Sequence, residues 1–195
     1  MKKRLYFDKY GEMKFISHLD MLRFFERLFK KAQIPVKYSQ GFHPRPRMSF
    51  GNPISLGTEA YNEVMDIEME IPMSNEEILN RVNAAAVNGF KLNAVEDVDK
   101  KSVLTEEFTV MIYEITGEKE IIDKLEELLR RDEIVEVKEK NGKRTERDLK
   151  ARIQGFTRKE NTVTIDLVNT SPNAFLTMAG IEAKDVQIKK LGYKK

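Results

Sequence analysis

The chain has 195 residues, of which 41% are hydrophobic and 34% charged, and its formal net charge is +2. Because the sequence contains no cysteine, it excludes a disulfide framework, a thiolate metal site and an iron–sulfur cluster in this chain. No apolar run approaches the roughly 20 residues of a membrane-spanning helix. The mixed sequence after Met1 does not resemble a signal peptide, so we expect a soluble cytoplasmic protein with no membrane partner.

The small net charge conceals a segregated distribution of charged residues. Residues 1–51 carry 12 basic and 4 acidic side chains, whereas residues 52–100 carry 3 basic and 10 acidic ones. Residues 101–140 are also acidic, and residues 141–195 are basic again. Two basic ends around an acidic middle can orient a protein on a polyanion even when the total charge is close to zero.

The first half of the chain predicts alternating strands and helices. A strand over residues 3–8 and a returning strand over residues 13–16 precede a helix that begins at Ser17, where Asp20 completes a capping box. The next elements are strand-like residues 36–38, a strand with Val64, Ile67, Met69 and Ile71, a helix capped by Ser74, and a strand over residues 90–98. Apart from the strand over residues 13–16, this β-α-β-β-α-β order is that of the ferredoxin-like unit.

A polar stretch at residues 96–105 is typical of a domain joint, and the same order of elements is predicted again after it. The second set begins with a strand near residue 110, a helix over residues 118–131 and a second strand over residues 134–137. Strands near residues 149–156, 162–168 and 186–191 and a short helix capped by Ser171 complete it. We therefore predict an α+β fold with two tandem ferredoxin-like halves and antiparallel sheets, one domain over residues 1–99 and the other over residues 106–195.

Residues 37–51 form the most unusual segment, because they combine cations, aromatic rings, prolines and glycines and contain no acid. Cations neutralise phosphates and planar rings stack on bases, so this composition favours a nucleic-acid ligand. The two prolines of the segment stiffen the backbone around its arginines. The alternative is a loop whose rings cover the core and whose arginines are merely solvated. The predicted nucleic-acid-binding residues are Arg23, Arg27, Lys37, Tyr38, Phe42, Arg45, Arg47 and Phe50.

A second candidate site consists of His18, Asp20 and His43. The two histidines could act as general acid and base, or as metal ligands, if the loop folds back over the start of the helix, with Asp20 beside them. The alternative is that Asp20 only caps the helix and that His18 is only exposed. Two histidines and one aspartate at this long spacing are only a weak metal signal, so we predict no metal site.

The first quarter of the chain contains a set of recognisable motifs: Phe15-Ile16-Ser17-His18-Leu19-Asp20, then Arg23, Glu26 and Arg27, Ile34-Pro35, Tyr38-Ser39-Gln40-Gly41-Phe42-His43-Pro44 and Met48-Ser49-Phe50. These motifs resemble those of the radical SAM-linked protein family. The resemblance implies a cytoplasmic bacterial accessory protein whose partner is a radical SAM enzyme. Because this chain lacks the cysteines that hold a radical SAM cluster, it is not that enzyme, and we expect no cofactor in it.

Three functional hypotheses follow from the segment and the resemblance. The first is an RNA-binding accessory module that works with a radical SAM enzyme, in tRNA or rRNA modification. The second is an RNA-modifying or RNA-processing enzyme that uses His18, Asp20 and His43. The third is a protein–protein adaptor for the radical SAM partner that involves no nucleic acid.

Overall fold

The computed structural model describes residues 1–140 and 142–194, and the chain divides into two units, Met1–Phe108 and a second that begins at Thr109. The described residues form ten β-strands and five α-helices, and the strand pairings within each unit are antiparallel. The predicted α+β class is therefore confirmed. Within the described ranges, no helix is both long and apolar enough to cross a membrane.

The first unit is a four-stranded antiparallel sheet with two long helices. Its strands follow the order β4-β1-β3-β2, in which β1 is central and pairs with both β3 and β4. Its elements are β1 (Lys2–Lys9), α1 (His18–Lys31), β2 (Met48–Phe50), β3 (Glu59–Glu68), α2 (Asn75–Ala85), β4 (Phe90–Val98) and the short α3 (Leu104–Glu107).

Helix α1 begins where the sequence predicts, because the Ser17 side chain accepts a hydrogen bond from the Asp20 backbone N–H at 3.2 Å. The apolar face of α1 packs into an aromatic core. The ring centroid of Phe25 lies 5.1 Å from that of Phe7 on β1 and 5.5 Å from that of Phe90 on β4. These three rings therefore join the helix to two strands of the sheet.

The predicted strand over residues 13–16 is wrong, since Gly11–Phe15 is a 3-10 helix. Gly11 has a φ of +59°, which turns the chain away from β1. Met13 is buried but Phe15 is 56% exposed, so the apolar residues here do not share one face.

The Tyr10 N–H donates to the Gly89 carbonyl at 2.9 Å. A Cβ on Gly89 would lie 2.5 Å from the Tyr10 carbonyl oxygen, so this approach requires glycine.

A buried charged cluster ties β1 to β3 and to α3. The Arg4 guanidinium is buried; its Nε donates to Asp66 Oδ1 at 2.8 Å and its Nη1 donates to Glu107 Oε2 at 2.5 Å. It also donates to the Ser102 hydroxyl at 2.6 Å and lies 4.9 Å from the Phe108 ring centroid. The hydrogen bond from Arg4 is the main reason why the pKa of Glu107 is lowered. Residues 102–108 are thus fixed to the first unit.

The second unit contains another four-stranded antiparallel sheet and a separate hairpin. The strands of its sheet follow the order β10-β5-β9-β8, while β6 pairs with β7. Its elements are β5 (Val110–Gly117), α4 (Lys119–Arg130), β6 (Val135–Lys140), β7 (Lys143–Asp148), β8 (Ile153–Lys159), β9 (Thr162–Val168), α5 (Asn173–Met178) and β10 (Val186–Tyr193).

The strand predicted at residues 134–137 is part of β6 and pairs with β7 in this separate hairpin. The strand next to β9 in the main sheet is β8. The reason is that Val135 and Val137 are exposed among charged neighbours and provide no apolar face to bury. Ile134 precedes β6 and Leu149 follows β7, so both lie at the base of the hairpin. They anchor it there, since both are buried and the Leu149 N–H donates to the Ile134 carbonyl at 2.8 Å.

Replacing Asp66 by alanine removes the counter-charge that Arg4 requires in a buried position. Loss of one member of a buried ion pair typically costs about 3–5 kcal/mol, so we expect the first unit to become less stable by this amount. Denaturant-dependent hydrogen exchange of peptides from that unit measures the change. The control is Glu77→Ala, which breaks an exposed ion pair with Arg81 and should change little. Equal effects of the two substitutions would contradict the prediction.

Candidate functional site

Residues 37–47 fold into a narrow hairpin, which we call the basic hairpin. The Arg47 N–H donates to the Lys37 carbonyl at 2.8 Å, and the Ser39 N–H donates to the Arg45 carbonyl at 2.8 Å. The Arg45 N–H in turn donates to the Ser39 hydroxyl at 3.0 Å. Tyr38 and Pro46 face each other between these bonds. These bonds make the segment an ordered stalk.

The base of the basic hairpin is joined to the end of β3. The Lys37 N–H donates to the Glu68 carbonyl at 2.8 Å, and the Glu68 N–H donates to the Arg47 carbonyl at 3.1 Å. Val36 also pairs with Met69 in an isolated bridge. The position of the hairpin is thus fixed by backbone hydrogen bonds to the sheet, which do not depend on its side chains.

The tip of the basic hairpin presents Phe42 to solvent. The Phe42 side chain is 101% exposed, and it follows Gly41, whose φ of +129° suits glycine. His43 and Pro44 beside it are also exposed. Leaving a phenylalanine in water forfeits about 1.5–3 kcal/mol of stabilisation relative to burying it. An exposed ring on an ordered stalk is therefore typical of a binding surface.

The predicted arginines surround the stalk and the outer face of α1, and each is exposed. Arg47 pairs with Glu68 at 3.2 Å, Arg23 pairs with Asp20 at 3.2 Å, and Arg45 lies 3.7 Å from Glu26. Such exposed pairs are weak and exchange readily for other anions. The structure brings two of these arginines together along one groove of about 290 Å³, whose lining is Leu19, Leu22, Arg23, Glu26, Arg45, Pro46 and Met48.

Phe50 and Tyr38 differ from Phe42, because neither ring is fully exposed. The Phe50 ring packs on Phe25 at a centroid distance of 5.6 Å and on His18 at 5.7 Å. Phe50 thus belongs to the edge of the core. Of the three rings in the predicted binding segment, Phe42 alone is free of packing in the described part of the chain.

The three candidate catalytic residues occupy different environments. Asp20 accepts a hydrogen bond from the Ser17 hydroxyl at 2.7 Å, and this bond is the main cause of its lowered pKa. His18 contacts Phe50, whereas His43 lies at the hairpin tip. Among residues 1–140 and 142–194, no hydrogen bond or ring contact joins the two histidines, and no cluster of three acidic or histidine side chains could hold a metal ion.

A cationic cleft at the base of the basic hairpin was not found by sequence reasoning. It has a volume of about 420 Å³ and is lined by Met1, Lys2, Lys37, Arg47, Met48, Ser49, Asp66, Ile67, Glu68, Met69 and Lys100. Lys37 and Arg47 are among the predicted binding residues, but Lys2 and Lys100 are distant in sequence. The excess of basic residues over positions 1–51 was the feature of the sequence that could have identified Lys2 as a candidate binding residue.

Sequence reasoning also missed two buried charged residues below His18. Lys9 and Glu63 are 1% and 2% exposed and line a cavity of about 20 Å³ together with His18. Burial lowers the pKa of Lys9, and the charge of Glu63 partly opposes this effect. Lys9 follows the buried Leu5 and Phe7 at a spacing of two residues. Because alternate side chains of a strand point to the same face, this spacing could have predicted that Lys9 faces inward.

These features define an α+β chain whose first unit displays an ordered basic hairpin with an exposed aromatic tip. The chain matches, over residues 2–178, the family described as an uncharacterized protein conserved in bacteria (DUF2344). It therefore belongs to this bacterial family, and the match includes the whole of the basic hairpin. No curated protein matches the chain.

The exposures of the two phenylalanines predict opposite effects on stability. Phe42→Ala should leave the urea midpoint unchanged, because the ring makes no packing contact that could be lost. Phe50→Ala removes a half-buried ring packed on Phe25, so it should lower the free energy of unfolding, though by less than the roughly 3–5 kcal/mol that loss of a fully buried phenylalanine costs. Urea denaturation followed by circular dichroism tests both substitutions. A loss of stability in Phe42→Ala would show that the hairpin tip is packed.

Proposed function

We propose that this chain is an RNA-binding accessory module that works with a radical SAM enzyme in the modification of tRNA or rRNA in the bacterial cytoplasm. The observation that carries the RNA-binding part is the complete exposure of Phe42 at the tip of the basic hairpin. The resemblance of residues 15–50 to the radical SAM-linked proteins carries the enzyme part.

An aromatic ring next to arginines is an arrangement that suits a single-stranded nucleic acid. A base can stack on the Phe42 ring without sequence preference, since every base has a π-face. Arg45 and Arg47 lie close to it in sequence on the same stalk and can bind the flanking phosphates. Their exposed pairs with Glu26 and Glu68 cost little to exchange. RNA is a suitable target because its loops and ends offer unstacked bases.

We also infer that each unit is ferredoxin-like. Two features support this: the β-α-β-β-α-β order, and the strand orders β4-β1-β3-β2 and β10-β5-β9-β8 with antiparallel pairing. In this interpretation the basic hairpin is an insertion between the first helix and second strand of one unit. The hairpin of β6 and β7 is an insertion at the corresponding position of the other.

Stacking on Phe42 predicts a specific loss of RNA affinity. Phe42→Ala should weaken binding of a single-stranded RNA oligonucleotide by about 5–100-fold, as expected for the loss of one stacked base. Fluorescence anisotropy titration measures the change. The matched control is Phe15→Ala, which removes another exposed phenylalanine that lies outside the hairpin and should leave the affinity unchanged.

The salt dependence of the same titration separates phosphate contacts from stacking. Arg45→Ala combined with Arg47→Ala should reduce the slope of log affinity against log salt by about 1.4, because each phosphate contact to a single strand contributes about 0.7. Arg131→Ala combined with Arg144→Ala is the control for lost positive charge. An unchanged slope in the hairpin variant, or equal changes in both, would exclude the hairpin as the RNA site.

We place the contact with the radical SAM enzyme at the groove beside α1. Leu19 is 64% exposed there, and Leu22, Pro46 and Met48 add apolar surface. Exposed apolar side chains gathered in one groove favour a protein partner. Leu19 and Met48 also belong to the stretches that carry the resemblance to radical SAM-linked proteins.

A carboxylate in place of the exposed apolar side chain of Leu19 should therefore abolish the contact with the enzyme. We expect Leu19→Glu to prevent co-purification with the radical SAM protein of the same bacterium after nuclease treatment. Leu56→Glu is the matched control, because Leu56 is equally exposed at 64% but lies outside the groove. If both variants retain the enzyme, the groove is not its docking site. If the unsubstituted chain does not retain it, the partnership itself is wrong.

A further inference from the structure

We propose that the cationic cleft at the base of the basic hairpin binds a phosphate monoester that carries a nucleoside-like organic group. The cleft has a volume of about 420 Å³ and lies within the first unit. This volume is in the range of small-molecule pockets, roughly 300–1,000 Å³. This ligand site is additional to the RNA-binding surface of the hairpin. It rests on the proposed function only if the phosphate that it binds is the terminal phosphate of an RNA.

The charge of the cleft matches a dianion. Its lining contains the cations of Lys2, Lys37, Arg47 and Lys100 and the carboxylates of Asp66 and Glu68. The four side-chain cations outnumber the two carboxylates, and Asp66 is also paired with Arg4 outside the lining, so the excess of positive charge is at least two. A phosphate monoester carries about −1.5 to −2 charges at neutral pH, whereas a diester within a nucleic-acid strand carries only one. The excess therefore favours a terminal or free phosphate over an internal one.

Two of the four cations are engaged with protein carboxylates. Lys2 Nζ lies 2.9 Å from the buried Asp66, and Arg47 lies 3.2 Å from Glu68. Lys2 also donates to the Ser102 carbonyl at 2.5 Å, so its ammonium group is held in place. Lys2 therefore raises the local potential without the need to reorganise when a ligand enters, while Arg47, whose pair with Glu68 is exposed, can turn toward the ligand.

The other two cations have their charge available for a ligand. Within the described ranges, neither Lys37 nor Lys100 forms an ion pair with a carboxylate. They come from different segments, since Lys37 lies at the base of the hairpin and Lys100 follows β4. Two ammonium groups from separate segments can contact different oxygens of one phosphate.

The remaining lining accounts for the organic part of the ligand. Met1, which is 43% exposed, and the half-buried Met48 contribute apolar surface to the cleft, and Ser49 contributes a hydroxyl group. Methionine side chains are flexible and polarisable, so they adapt to flat ring systems. A bare inorganic phosphate would use only the cations. We therefore expect a nucleoside monophosphate to bind more tightly than either of its parts.

Isothermal titration of the full chain with adenosine 5′-monophosphate, adenosine and inorganic phosphate tests this site. We expect adenosine 5′-monophosphate to bind most tightly, and Lys37→Gln with Lys100→Gln to weaken it by about tenfold or more, because hydrogen bonds to charged groups are strong. Lys91→Gln with Lys124→Gln is the matched control and should leave binding unchanged. Absence of binding at millimolar ligand, equal binding of adenosine, or full binding by the Lys37/Lys100 variant would overturn the proposal.

A second comparison identifies the source of the phosphate and separates this site from the RNA surface. If an RNA with a 5′-phosphate binds more tightly than the same RNA with a 5′-hydroxyl, and Lys37→Gln with Lys100→Gln removes the difference, the site takes an RNA end. If only the free nucleotide depends on the two lysines, it takes a mononucleotide. Both results support the site. Phe42→Ala should leave nucleotide binding intact. If the hairpin does not bind RNA, the titration with the nucleotide can therefore still show whether the cleft is a ligand site.

Discussion

The buried ion pair between Arg4 and Asp66 is the interaction on which the arrangement of the first unit depends. Arg4 lies on the central strand β1, and Asp66 lies opposite it on β3. Through its other donors Arg4 also holds Ser102 and Glu107, so that one guanidinium connects two strands and the segment after β4. Asp66 in turn positions Lys2 at the cleft. A buried ion pair is seldom a large source of stability, and its contribution here is to fix segments that are distant in sequence. The hairpin, the cleft and α3 all surround this part of the sheet.

Local signals in the sequence were sufficient wherever an element is decided by its own residues. Ser17 and Ser74 cap α1 and α2 as their spacing predicts, and Phe90–Val98 is the strand that follows Gly89. The 3-10 helix at Gly11–Phe15 could not be recognised in this way. Its conformation depends on the buried side chain of Met13 and on the contact of Tyr10 with Gly89, which a linear pattern does not contain. The strand over residues 134–137 was predicted, but its pairing with β7 in a separate hairpin was missed, because Val135 and Val137 alternate like a buried strand and have no surface to cover.

The candidate site shows the same division between local and distant information. Composition singled out the segment over residues 37–51, and both of its prolines and Gly41 belong to the ordered hairpin, whereas Gly51 follows β2. Composition could not distinguish Phe42 from Phe50, since only packing against Phe25 separates an exposed ring from a half-buried one. Lys2 and Lys100 join Lys37 through the strand pairing of β1 with β3 and β4, so their contribution to one cleft becomes visible only in three dimensions.

The separate origins of Lys37 and Lys100 have a consequence for the mechanical properties of the first unit. Lys37 belongs to the stalk of the hairpin, and Lys100 belongs to the turn in which the Lys101 N–H donates to Asp99 at 2.7 Å. A ligand held by both lysines acts as a reversible cross-link between these two surface segments. Like a disulfide, such a link restricts the segments that it joins, but it forms only while the ligand is present. Because backbone hydrogen bonds already fix the base of the hairpin to β3, the segment that occupancy of the cleft would restrict is the turn after β4 that carries Lys100.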